Sequence, residues 1–175
     1  RLAEALAALK YDGETPEELA DKCKDMGNKN FKTAISRKRQ MYYREAVKHY
    51  SEGCLHALKA AEAPDRPAEA VKALDELFST LLSNRSACNL ALKNYGSVKR
   101  DCTDAVRLNP AKAKAFFRKA KACLALRQYE DGLEASQDAL FLEPENAEVA
   151  ALRVKLEAGL AERQKREAAV AAQEA

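Results

Sequence analysis

Along residues 113–144, apolar or small side chains return every three or four positions. They fall at Phe116, Phe117, Ala120, Cys123 and Leu124, then at Tyr129, Gly132, Leu133, Ala139 and Leu140. This spacing predicts two amphipathic helices joined by a turn at Arg127-Gln128, not strand alternation. Upstream, Leu19, Cys23, Met26 and Asn30 lead toward Ile35 along one predicted helix. Its start is marked by Thr15 as N-cap, Pro16 at the first helical position and Glu18 completing a capping box. The polar, basic stretch Ser36–Gln40 predicts a break, after which Tyr43, Ala46, Val47, Tyr50 and Leu58 form the stripe of a helix from Tyr42 to about Ala63. Pro64-Asp65-Arg66-Pro67 reads as a loop. Val71, Leu74, Leu77, Phe78, Leu81 and Leu82 then give the inward face of a helix reaching about Leu92. A shorter helix, Tyr95 to Leu108, stops at Asn109-Pro110, where Asn109 is expected to cap the next one. From Glu145 a last helix turns Val149, Leu152, Leu156 and Leu160 inward, and beyond Ala161 its pattern fades into a solvated extension. At the other end, Leu2, Leu6 and Leu9 suggest a short lead helix closed by Asp12-Gly13.

The segments repeat. Pro110 and Pro144 are 34 residues apart, as are Tyr95 and Tyr129, Ala105 and Ala139, and Asn84 and Arg118. A helix–turn–helix unit with that period is the tetratricopeptide (TPR) signature. The pattern is imperfect, with Phe116, Lys119 and Ser136 where Trp, Leu and Phe are usual. A first repeat is read near Cys23, with its second helix carrying Tyr43, Ala46, Tyr50 and Gly53. It needs about four extra residues at Ser36–Gln40 and about 18 before the second repeat. From Asn28 to Asn84 is 56 residues, or 34 + 4 + 18. The predicted architecture is therefore all-α: a right-handed superhelical stack of three repeats (about 17–63, 67–110 and 111–144). A lead segment (1–16) precedes the stack and a capping helix (145–175) follows it. First helices line a concave groove in such a stack, and their second and sixth positions point into it. These are Lys24 and Asn28, Thr80 and Asn84, and Lys114 and Arg118.

Composition narrows the function. With 30 basic and 27 acidic residues among 175, the formal net charge is only +3, too little for a global pull toward nucleic acid or anionic membrane. No apolar run approaches the roughly 20 residues of a membrane span. The chain, beginning at Arg1, reads as an excerpt of something longer. Five cysteines, with no C-x-x-C pair, read as reduced core thiols of a cytosolic protein. His49 and His56 lie seven apart on one helix but lack a third ligand at metal spacing. The Ser36–Gln40 stretch reads as a solvated turn ahead of a nuclear signal or phosphate contact. Tyr43, Tyr95 and Tyr129 share one repeat position and are assigned to the core. Gly-rich phosphate loops, catalytic groupings and cofactor motifs are absent, so the chain is expected to be no enzyme and to need no cofactor.

The groove positions carry a resemblance. Lys24 and Asn28 in CKDMGN, Asn84 in SNRSA, and Lys114 and Arg118 in KAFFRKA match all five positions of the two-carboxylate clamp. That clamp belongs to the TPR co-chaperones of the cytosolic heat-shock proteins 90 and 70. The resemblance covers about residues 17–144. It implies a groove that binds an extended peptide ending in Glu-Glu-Val-Asp, with the five residues holding both carboxylates of the last Asp. Asn28 and Asn84 would clasp the terminal carboxylate and Lys24 would bridge it. Lys114 and Arg118 would take the side chain and a peptide carbonyl, and Phe31 would wall the Val. TPEELA, the enlarged gap between repeats, and LLSNRSA followed by NY are most similar to the tetratricopeptide repeat protein 4 subfamily of heat-shock protein 90 co-chaperones. The implied partners are the C-terminal peptide of heat-shock protein 90 and, because it ends in the same four residues, that of heat-shock protein 70.

Two other readings fit the same repeats. They could be the targeting half of a larger prolyl isomerase or phosphatase, or a scaffold for an internal peptide. A cation pair four residues apart, such as Lys114 and Arg118, is by itself usually a solvated helix face. Its alignment with Asn84 and with Lys24 and Asn28 in repeat register argues against that here.

Overall fold

A computed structural model describes residues 13–174. Among these residues there are seven helices and no strand: α1 Pro16–Arg37, α2 Gln40–Ala61, α3 Ala68–Ala91, α4 Tyr95–Leu108, α5 Ala113–Ala125, α6 Tyr129–Leu142 and α7 Ala147–Glu174. The lead helix expected over residues 1–11 lies outside the described residues.

The predicted start signal works as written. Thr15 Oγ1 accepts from the Glu18 backbone N–H, and the Glu18 carboxylate accepts from the Thr15 N–H at 2.8 Å. The expected break at Ser36–Gln40 shrinks to two residues. Ser36 and Arg37 finish α1, Lys38 adopts a left-handed φ of 52°, and Gln40 already begins α2. Helix ends need only satisfied backbone groups and a solvated face, so polar residues can lengthen a helix as readily as stop it. The residues inserted before the second repeat are absorbed in the same way. Helices α2 and α3 have 22 and 24 residues against 13 and 14 in α5 and α6, leaving 62–67 as connection. Asn109 does not cap α5. Its Oδ1 accepts from the Ala111 N–H at 2.9 Å, closing a turn, and Lys112 occupies the cap position.

Each helix packs on the next, and α1, α3, α5 and α7 also pack on alternate neighbours: α1 on α3, α3 on α5, α5 on α7. That second set lines up the first helices of successive repeats along one surface, the layering of a TPR stack. Small residues make the approach close enough. At Gly132 an added Cβ would stand 2.5 Å from Leu156 Cδ2 and 3.1 Å from Cys123 Cβ, so α6 could not lie this near to α5 and α7.

A main core runs from α1 to α5 around Tyr50, Leu81, Val98, Cys88 and Cys102, and a smaller one joins Ala120, Ala135, Leu152 and Leu156. Tyr43, Tyr95 and Tyr129 pack against these cores, as expected. All five cysteines are free thiols, four of them buried and Cys23 half-buried. Three residues on the predicted stripes face solvent instead: Met26 (50% exposed), Ile35 (54%) and Val71 (42%). Met26 and Ile35 belong to the first helix of the stack, which is covered on fewer sides than an internal one. Val71 sits in the first turn of the lengthened α3. No helix among the described residues is long and apolar enough to cross a membrane.

Candidate functional site

The first helices bring most of the expected residues together. Asn28 on α1 and Asn84 on α3, 56 residues apart, touch directly: Asn84 Nδ2 donates to Asn28 Oδ1 at 3.1 Å. The same oxygen accepts from the Tyr50 hydroxyl at 2.8 Å. One residue before Asn84, Ser83 holds Arg118 of α5, whose Nη1 donates to the Ser83 carbonyl at 3.1 Å and to its Oγ at 2.9 Å. Arg118 and Lys114, one turn apart on α5, line a single cavity of about 450 Å³ with Phe117, Lys121, Glu143 and Glu148, a lining that does not include Lys24, Asn28 or Asn84.

Electrostatically, the notable feature is what Arg118 lacks. Burial lowers its pKa, opposed only by the fields of Cys102, Cys88 and Tyr50. No ion pair among the described residues involves Arg118 or Lys114. Arg85, half-buried in the same layer, shows the ordinary solution. Its Nε/Nη2 edge donates to both oxygens of Asp101, at 3.0 Å from Nε and 2.7 Å from Nη2, and Nη1 donates to Ser51 Oγ at 3.1 Å. A charge withdrawn from water and left without a counter-ion is costly, so such a group is suited to meeting an anion from outside the fold.

Other expected residues sit differently. Lys24 lies one turn before Asn28 on the same face of α1, but its ammonium pairs with Asp21, which is exposed. This corner of the site therefore holds an acidic neighbour, because a carboxylate three residues earlier on a helix lies within reach. Thr80 is already engaged, accepting from Lys112 at 2.9 Å and donating to Glu76 at 3.3 Å. Phe31 is half-buried, its ring meeting Tyr43 edge-on with centroids 5.8 Å apart, so part of the expected wall faces the core.

Tyr50 was assigned by periodicity to the core, and the structure adds a polar role. Its ring is buried over Gly27, where an added Cβ would come within 2.4 Å of the ring, and only its hydroxyl reaches the groove layer. The sequence signal was the Gly27-Asn28 pair, a gap beside a polar residue that matches a tyrosine one helix away.

No protein-family model matches the chain. Individual relatives do. A tetratricopeptide repeat protein 4 homolog of Dictyostelium discoideum is 34% identical over 154 residues, covering 87% of this chain and 34% of the relative. The Hsp70/Hsp90 co-chaperone CNS1 of Saccharomyces cerevisiae is 35% identical over 147 residues, covering 83% and 32%. The chain thus spans about a third of the length of these curated relatives. Among solved structures, Cns1 from Saccharomyces cerevisiae aligns with TM-score 0.67 at 29% identity, over 94% of this chain and 46% of that one. The first TPR of Spaghetti (RPAP3) bound to HSP90 peptide SRMEEVD aligns with TM-score 0.65 at 27% identity, over 84% and 97%. The second TPR domain of human RPAP3, in complex with HSP70 peptide SGPTIEEVD, aligns with TM-score 0.62 at 25% identity, over 81% and 98%.

Proposed function

We propose, for a chain that is a TPR homologue of tetratricopeptide repeat protein 4 and Cns1, that its groove docks the C-terminal peptide of heat-shock protein 90. Heat-shock protein 70 is a second partner through the same terminal Glu-Glu-Val-Asp. The chain acts as a non-enzymatic co-chaperone adaptor in the cytoplasm. The observation that carries this reading is Arg118, drawn out of water without an ion-pair partner among the described residues, beside the touching amides of Asn28 and Asn84.

In this reading the terminal carboxylate accepts from Asn28 and Asn84, with Lys24 exchanging Asp21 for it. The Asp side chain accepts from Lys114 and the unused edge of Arg118. The Val packs against what Phe31 leaves exposed. Charge-assisted hydrogen bonds contribute about 1.5–3 kcal/mol each, and most of that offsets ordering of an extended peptide. The net is about micromolar affinity, near −8 kcal/mol.

Calorimetric titration with SRMEEVD and with its C-terminal carboxamide tests the reading. The free acid should bind at micromolar concentration, and the carboxamide should lose most of that affinity. Equal binding of the two would leave an internal-peptide scaffold as the better account.

A further inference from the structure

We propose that Tyr50 is a positioning residue of this groove, its hydroxyl fixing the Asn28 amide so that the nitrogen faces the bound peptide's terminal carboxylate. The inference rests on the carboxylate-clamp reading and adds to it a residue from the second helix of the repeat, outside the row that lines the groove. Tyr50 belongs to α2 and its side chain is buried. The space left by Gly27 admits the ring between α1 and α2, so that Oη emerges 2.8 Å from Asn28 Oδ1.

An amide oxygen offers two acceptor positions, and at Asn28 both are filled, by Tyr50 Oη–H and by Asn84 Nδ2–H at 3.1 Å. The nitrogen is then turned away from both donors with two hydrogens to give. Rotating the amide by half a turn would set the Asn28 nitrogen against the Asn84 nitrogen, donor against donor. It would also aim an oxygen lone pair at the incoming carboxylate. Rotation would also take from the Tyr50 O–H, which is buried and keeps its proton, the acceptor it now uses. Burial pushes its pKa well above the ordinary phenol value, and the Arg118 charge opposes that shift more weakly.

The test compares the native chain with Tyr50→Phe, which keeps the ring over Gly27 and deletes the hydroxyl. Both are titrated with fluorescein-labelled SRMEEVD and its carboxamide, and the pair is repeated in an Asn28→Ala background. Tyr50→Phe should bind the free acid roughly tenfold more weakly, the effect of one hydrogen bond lost from an oriented donor set. Its far-UV spectrum should be unchanged, and the substitution should cost nothing further once Asn28 is alanine. Native-like affinity in Tyr50→Phe overturns the proposal. So does an equal loss in the Asn28→Ala background, which would mean that Tyr50 acts through the fold. If the native chain does not distinguish acid from carboxamide, the underlying clamp reading falls first and the proposal with it.

Discussion

Arg85 and Arg118 are half-buried guanidiniums with opposite surroundings, and the contrast predicts opposite phenotypes. Arg85→Ala leaves Asp101, whose side chain is 8% exposed, with only a 3.4 Å hydrogen bond from Asn89. Removing one partner of a buried ion pair costs about 3–5 kcal/mol, which a thermal melt will register as a large drop. Arg118→Ala strands no carboxylate, so its stability should change by less than about 1 kcal/mol while binding of SRMEEVD is abolished at micromolar concentration. Lys114→Ala should behave likewise. His56 supplies a pH test. Burial holds its pKa below the ordinary 6.5, the Glu52 carboxylate opposing. The unfolded chain therefore takes up this proton at higher pH than the folded one does. The contribution is fully present above about pH 6.5 and shrinks as pH falls below it. Melting at pH 7.5 and 5.5 should show a smaller acid-induced drop for His56→Gln than for the native chain. None of these environments was legible in the sequence. Arg118 reads as a groove position and His56 as an ordinary helix residue, while Arg85 carries no signal, and only packing decides how deeply each is buried and which charges stand beside it.

At the scale of elements, the sequence was a good guide to where helices start and a poor one to where inserted residues go. Thr15-Pro16-Glu17-Glu18 and Asn109-Pro110 are local chemistry, so the helix start and the break they predict fall where expected. The residues inserted around the second helix have no such signature. A count of extra residues is the same whether they form a loop or extend a helix, and here α2 and α3 grow longer. The junction of α5, α6 and α7 contains two close approaches, at Gly132 and at Gly159 against the Tyr129 ring. Gly132→Ala would drive a methyl group into Leu156 and Cys123, and overpacking of this kind costs about 1–3 kcal/mol. Leu156→Ala, at a fully buried position, should cost about 2–5 kcal/mol. Denaturant titrations of the two variants will show whether the last helix is held as tightly as this contact implies.

Across the whole molecule, stability is shared between a large core spanning α1 to α5 and a small one under α7. Repeat stacks of this type open from the end with fewer buried contacts. Amides of α6 and α7 should therefore exchange with deuterium before those of α3 and α4. A peptide bridging α1, α3 and α5 stabilises only the folded stack. At one hundred times its dissociation constant it should add about 2.7 kcal/mol and raise the melting temperature accordingly. Slowed exchange in α1, α3 and α5 should accompany that rise.

The sequence by itself determined the helices, their order and which polar positions recur in register along the first helices. Those follow from periodicities of three to four and of 34 residues, which are written along one dimension. Only the tertiary structure decided that Asn28 meets Asn84 across 56 residues, that Lys24 is held by Asp21, that Thr80 is already occupied and that Tyr50 reaches through from the second helix. Hydrogen bonds and burial depend on distances of a few ångströms between distant segments, and register along a chain specifies a face but not what stands opposite it.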